Sequence, residues 1–457
     1  MTRHRLLWLT AAIMLFLLPL GVANGAEAQP QVKKSVSKKS APGKTLTLSQ
    51  AVEEALKANP GIEAKRLMLE NAKMNIGVAQ SFFWPRVSIM YSSNRLKNYE
   101  EVNTYNSDNL SSFNWNKGWR ASYPLFAGFA HLSTLQKSLL NRDIEAQRHR
   151  LACLELASNV QLQFLQLLRS REDLKTARDS IKRLETQLAS AEAFVEMDMA
   201  PYLNVLQNRT DLANAKQQLI RVQNDIRNAE VQLNRYLGRP DGDTVNYVGK
   251  LTDYPTKAGI SEEEAIREAL ANRPDLQIAQ KSIEVAFKDM RIAMAQYLPR
   301  IDLTYDNMAS SKDYDNSQYQ GYTRNYWSAG ITFTWEIFSG GQTTFQTLAE
   351  KKRAESLRKD YEDAVNGMRA EVIRTLLDIN AAKDLISAAK SGLQSAREGY
   401  EMATTRYETD TGTITELLDA QLRLTQAEND IASAYWQLQS SRSRLNFYLG
   451  RQNPGLK

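Results

Sequence analysis

A chain of 457 residues with 42% hydrophobic and 24% charged residues and few Gly or Pro suits long helices better than a compact α/β enzyme. It holds 58 Lys and Arg against 52 Asp and Glu, but the excess is confined to an N-terminal tail and residues 47–457 balance, so a nucleic-acid surface is not expected. Cys153 is the sole cysteine and only three His occur, which excludes an internal disulfide and leaves no cluster with metal-ligand spacing.

Residues 1–28 have the order of a secretory leader: Arg3 and Arg5, an apolar run from Leu6 to Leu20, then Ala26-Glu27-Ala28 as a small-residue cleavage site. The run is too short and too broken by Pro19 to span a membrane, which takes about 20 apolar residues. Residues 29–46 carry Lys33, Lys34, Lys38, Lys39 and Lys44 among Ser, Ala and Pro, the composition of a disordered linker.

From residue 47 the chain repeats itself. Ala51, Ala55, Leu56, Pro60, Pro85, Arg86 and Tyr91 return as Ala265, Ala269, Leu270, Pro274, Pro299, Arg300 and Tyr305, 214 positions on. Leu206, Leu237, Gly238 and Arg239 return as Leu418, Leu449, Gly450 and Arg451, 212 positions on. One supersecondary unit has been duplicated. The first repeat spans 47–245, with a helix, a β-hairpin over 86–126, a long helix over 129–198 and a helix over 202–237. Residues 246–260 connect it to the second repeat, 261–457, with a helix, a hairpin over 300–338, a long helix over 342–410 and a helix over 413–449.

Within each hairpin the period is two. Ile301, Leu303 and Tyr305 alternate with Asp302, Thr304 and Asp306; Ile331, Phe333 and Trp335 alternate with Thr332, Thr334 and Glu336. Aromatic residues gather toward the strand ends, as in a transmembrane β-strand and its interfacial girdle. The expectation is that Asp302, Thr304, Asp306, Thr332, Thr334 and Glu336 face a water-filled barrel lumen and the alternate residues face lipid. Two hairpins cannot close a barrel, and hydrocarbon forbids an open sheet edge, so the barrel must be shared between chains.

The long helices carry a seven-residue period rich in Ala, among them Val365, Met368, Val372, Ile379, Ala382 and Ile386 in the second copy, the seam of coiled-coil packing. Near 70 residues each, they extend about 100 Å, further than one globular core requires. A periplasmic coiled-coil adaptor or scaffold without a pore is the alternative reading of such helices, but it needs no amphipathic strands.

Three sets of residues, in this order and duplicated, carry a family resemblance. They are the Ala51–Leu56 opening with its copy Ala265–Leu270, Pro124-Leu125-Phe126-Ala127-Gly128 with Phe338-Ser339-Gly340-Gly341, and the endings Tyr236–Arg239 and Tyr448–Arg451. With them the chain resembles the TolC-like outer-membrane efflux family over essentially all of its mature length. The resemblance implies a mainly α fold with membrane β: a homotrimer whose four strands per chain make one twelve-stranded outer-membrane barrel, continued into the periplasm by an α-helical tunnel. It implies an exit duct of a tripartite efflux pump or type I secretion system, set in outer-membrane lipid. Its partners would be a periplasmic adaptor (membrane fusion protein) and an energising inner-membrane transporter. No cofactor and no catalysis are expected. The family's gate tyrosine falls on Tyr407, its acidic rings on Glu416 and Asp419, and a further gate position on Asn204, where the archetype has an acid. Gly412 stands where the archetype has an arginine. Tyr407 is expected to hold the helix pair inward by packing and one hydroxyl hydrogen bond.

Overall fold

The computed structural model describes residues 45–98, 110–239, 245–254, 260–314 and 321–451; the leader and nearly all of the linker expected before residue 45 lie outside them. In chain order the elements are β1 (Thr45–Leu46), α1 (Leu48–Ala58), α2 (Pro60–Ser81), β2 (Arg86–Asn98), β3 (Leu110–Ala127), α3 (Ala130–Glu196) and α4 (Tyr202–Tyr236). There follow β4 (Asn246–Tyr247), α5 (Glu262–Asn272), α6 (Pro274–Met294), β5 (Arg300–Tyr314), β6 (Tyr322–Thr334), α7 (Gln342–Glu408) and α8 (Ile414–Tyr448).

The opening helix expected in each repeat is two helices. Pro60 and Pro274 have no N–H to donate and force the preceding residue out of the α region, so Asn59 and Arg273 are extended, with ψ of 122° and 121°. Asn59 then caps α2 by accepting from Gly61 N at 2.8 Å and donates through Nδ2 to Tyr236 O at 2.8 Å. That second bond ties the start of the repeat to its end. Gly238 and Gly450 lie just past α4 and α8 with φ of 65° and 70°, the left-handed cap that glycine adopts without cost. A Cβ there would come within 2.5 Å of Ala58 O and 2.7 Å of Asn272 O. Arg239 and Arg451, the next residues, pair with Glu54 and Glu268.

Part of the linker is structured. Thr45 and Leu46 pair in parallel with Asn246 and Tyr247, and Leu46 and Tyr247 are buried against Phe164, Leu165 and Leu167 of α3. Two residues are too few to show a period. The stretch expected to be a plain connector therefore supplies β4 and one face of a core. A second core joins α5, α7 and α8 around Met368, Val372, Ile379 and Leu438.

The four long strands form one antiparallel sheet in the order β2-β3-β5-β6. The helices that adjoin them run in the same order: α2 lies against α3, α3 against α6, and α6 against α7. Lys137–Asp289 (2.5 Å) and Lys281–Asp143 (3.1 Å) tie α3 to α6. Further from the sheet, α3 contacts α4 on one side and α8 on the other, and α8 contacts α7. Among the described residues, the elements at the two ends of each row, β2 with α2 and β6 with α7, have a row partner on one side only.

Candidate functional site

The ladder registers put each pattern on one continuous face, because residues directly opposite in an antiparallel pair share a face. Ser88, Arg120, Asp306 and Ser328 form one cross-sheet row; Ser122, Thr304 and Gly330 form another. Asp302 lies opposite Thr332, and Arg300 opposite Thr334. On the other face Ile89, Trp119, Asn307 and Trp327 make one row, and Tyr123, Leu303 and Ile331 another. Asp302, Thr304, Asp306, Thr332 and Thr334 thus share the polar face. Arg120 Nε donates to Asp306 Oδ1 at 2.5 Å, and Arg300 Nε to Asp302 Oδ2 at 2.6 Å. The apolar face is exposed in this chain, with Ile89 at 87% and Trp327 and Ile331 both at 68%.

One local reading needs correction, and one strand carries an irregularity. The second hairpin ends at Thr334, so Glu336 is not a strand residue and has no place on the polar face. Beyond Thr334 the ladder gives way to a turn. Trp335 Nε1 donates to Tyr297 O at 3.1 Å, and Gly340 and Gly341, with φ of 64° and 85°, swing the chain into α7. In β3 the register slips between Pro124 and Phe126, since proline cannot donate to a ladder. The bulge brings Phe126, not Leu125, opposite Ile301.

The far ends of the helices form two matching hairpin tips. Each long helix stops at an aspartate in left-handed conformation, Asp198 (φ 55°) and Asp410 (φ 58°), a residue type that tolerates this region better than most. Met199 N donates to Phe194 O and Thr411 N to Arg406 O, both at 2.8 Å. Thr413 and Glu416 form a capping box that starts α8, each accepting from the other's backbone N–H at 3.3 and 3.4 Å. A threonine followed by a glutamate three residues on signals that box in sequence, and it anchors the Glu416 carboxylate.

Tyr407 lies between the tips. It is 7% exposed, grouped with Ile414 and Leu417, and meets the Phe194 ring edge-on, 5.6 Å between centroids. The expected hydroxyl hydrogen bond is not well formed: Tyr407 Oη is buried, and among the described residues no partner meets it in good geometry, though the Asn204 side chain lies beside it. Burial pushes its pKa up, and the Asn204 side chain beside it acts the other way. Packing carries the contact. Asn204 and Tyr407 line a cavity of about 340 Å³ together with Gly412, Thr413 and Ile414.

Glu416 and Asp419 are about half exposed, and each has a basic neighbour: Arg406–Glu416 at 3.7 Å and Arg423–Asp419 at 2.8 Å. Arg406 also donates to Thr411 O at 3.2 Å. A Cβ at Gly412 would stand 2.9 Å from Arg406 Cβ. The small residue at 412 therefore makes room for an arginine supplied one turn earlier by α7. Sequence reading missed Arg406 because its link to Glu416 depends on how the turn closes. It also missed Phe194, whose partner Tyr407 is distant in the chain.

The comparisons with known proteins agree with this geometry. Residues 51–239 and 265–451 each match the family model of the outer membrane efflux protein. Over 182 residues the chain is 24% identical to the alkaline protease secretion protein AprF of Pseudomonas aeruginosa, a match covering 40% of this chain and 37% of that relative. The outer-membrane channel OprN superposes with a TM-score of 0.75 at 20% identity, covering 88% of this chain and 89% of the other. The CmeC outer membrane channel of Campylobacter jejuni superposes with a TM-score of 0.74 at 18% identity, covering 88% and 85%. With both repeats matched across most of the described residues, the chain belongs to the outer membrane efflux protein family.

Proposed function

We propose that three copies of this chain close into one twelve-stranded outer-membrane barrel and a continuous helical tunnel. The assembly serves as the passive exit duct of an efflux pump or type I secretion system. The observation that carries this reading is the shared order of the two rows. Sheet and helices both end in half-partnered elements, β2 with α2 and β6 with α7, and the free sides are apolar. Met74 and Val78 on α2 are 68% and 58% exposed, Phe345 and Leu348 on α7 72% and 49%. An open sheet edge cannot stand in hydrocarbon, and placing β6 and α7 of one copy against β2 and α2 of the next removes both edges and both apolar faces. Asp302, Thr304, Asp306, Thr332 and Thr334 then line the lumen while the exposed apolar face meets lipid. A periplasmic adaptor and an inner-membrane transporter supply the remaining parts of the machine.

At the periplasmic end, three copies of Glu416 and Asp419 form an acidic constriction, and Tyr407 beside Asn204 holds each helix pair inward. Rings of carboxylates favour cations in channels. Mass measurement in mild detergent gives a trimer, and reconstitution into planar bilayers gives cation-selective channels. Replacing Glu416 and Asp419 together with Ala lowers the cation preference. A monomer with intact β-structure would refute the shared barrel, and unchanged selectivity would place these acids outside the lumen.

A further inference from the structure

Where the sheet meets the helices, the start of α3 and the end of α6 flank a groove of about 490 Å³. Its apolar walls are open: Phe129 is 62% exposed, and Leu132, Met294, Tyr297 and Leu298 are 43–46% exposed. The groove continues the apolar face of the sheet. Phe126 stands opposite Ile301 on that face, and its ring meets the Phe129 ring edge-on, 5.3 Å between centroids. His131, two residues on and so on the opposite side of α3, stacks on Phe82, which carries Arg86 over its ring. Arg86 pairs with Ser122 on the polar face, so the two faces of the sheet pass into two faces of α3. Both α3 and α6 are inner members of the row, and neighbouring copies that cover β2, α2, β6 and α7 do not reach this groove.

Its charge has one sign. Arg291 is the one charged residue of the described lining, and among the described residues it makes no ion pair. Lys288, a turn away, donates only to Gln136 Oε1 of the same lining, at 2.8 Å. Lys137 and Lys281, on the same two helices, are each matched to an aspartate. Arg291 lies seven residues before Leu298, about 10 Å along the helix. That is just past a headgroup layer of about 5–8 Å, within reach of a flexible arginine stem. Apolar walls followed by two cations without an acid match the order of acyl chain and phosphate in a phospholipid.

We infer that this groove holds one phospholipid of the periplasmic leaflet per chain, and that it prefers an anionic headgroup to a zwitterionic one. An acyl chain lies along Phe129, Leu132, Met294 and Leu298, and the phosphate meets Arg291 and Lys288, as juxtamembrane cations attract anionic lipid. An acidic protein segment would satisfy the cations, but it would have to displace lipid from walls continuous with the lipid-facing side of the sheet. The inference rests on the shared-barrel reading, which turns this face toward the membrane.

Full-length protein, stripped of lipid in detergent, is titrated with phosphatidylglycerol or with phosphatidylcholine of the same acyl chains and read by native mass spectrometry. The wild type holds one phosphatidylglycerol per chain more tightly than any phosphatidylcholine. Glycerophosphoglycerol, the same headgroup without chains, does not compete. Arg291→Gln weakens phosphatidylglycerol binding about fivefold, and adding Lys288→Gln weakens it about as much again, the scale of one interfacial cation each. Arg291→Lys keeps the preference, and so does Arg397→Gln at an exposed position near the far end of α7. Equal retention of both lipids, or an Arg291→Gln, Lys288→Gln double variant that binds like the wild type, overturns the inference and leaves the groove to a protein partner. Competition by the free headgroup also overturns it, as the mark of a plain phosphate site. The same spectra separate the two levels: a trimer without the headgroup preference defeats this inference alone, and protein that forms no trimer defeats the shared-barrel reading beneath it.

Discussion

The two long helices α3 and α7 occupy matching positions in the repeats and both run for 67 residues, yet they live in different surroundings. Along α3, 19 residues are buried; along α7, 9. The reason is position. α3 is an inner member of the row, touched by α1, α2, α4, α6 and α8, whereas α7 is an end member touched by α5, α6 and α8. The same seven-residue seam serves both, so duplication fixed the pattern of contacts a helix can make, and the number of neighbours decided which contacts are made within one chain. The surplus apolar surface on α7 is what a neighbouring copy would cover in the proposed trimer.

That contrast can be broken at several points. The largest effect belongs to the inner helix: Leu165, fully buried on α3, should cost about 2–5 kcal/mol when replaced by Ala, the usual range for a buried leucine. Denaturant unfolding followed by circular dichroism measures it, and a loss no larger than at an exposed leucine of α7 would erase the distinction. On the end helix, Phe345→Glu with Leu348→Glu should keep the helical content while removing most of the trimer. Each apolar side chain withdrawn from an interface is worth about 1.5–3 kcal/mol, and the ratio of trimer to monomer in native mass spectra reads the outcome.

At the tip, Tyr407→Ala should loosen the closed helix pair and increase single-channel open time, whereas Tyr407→Phe should change little, since its hydroxyl makes no well-formed bond. A Phe variant as open as the Ala variant would return the weight to the hydroxyl. The smallest effect is a pH slope on α3. Burial raises the pKa of Asp173, with Asp225 and Glu172 adding to burial and Arg169 opposing it. A raised carboxyl pKa means the folded state holds the proton more tightly, so stability falls as pH rises from the ordinary aspartate value through the raised one. Asp173→Asn should therefore gain stability near neutral pH and none at pH values below that window; equal effects at both would show that the residue acts through packing alone.

Much of this arrangement was legible in the residues, and the failures have a common cause. The long helices, their returning partners and the paired hairpins follow from periods of seven and two, which local side-chain alternation writes plainly. The proline breaks inside each opening helix were visible as Pro60 and Pro274 but were absorbed into one helical pattern. The β1–β4 pairing, the slip at Pro124 and the end of β6 before Glu336 depend on a partner strand or on a turn, and no period records them. At the tip, the resemblance placed Tyr407 and Asn204 in the gate, and the structure brings them to one cavity. What it could not foresee was the poorly aligned hydroxyl, or Arg406 reaching Glu416 across a turn kept narrow by Gly412.

The clasp between each repeat's end and its beginning has a consequence for how such a chain could arise. Because Arg239 returns to Glu54 and Arg451 to Glu268, both ends of either half lie side by side. A half is in this respect a closed module, and joining two of them requires only a short tether with no rerouting of the chain. The assembled ring would then be six near-equivalent modules with sixfold pseudosymmetry, reduced to threefold by the differences between halves. A gene for one half, six copies per ring, would satisfy the same geometry. Fusion into pairs leaves one half free to diverge at the tip while the other keeps the shape of the wall.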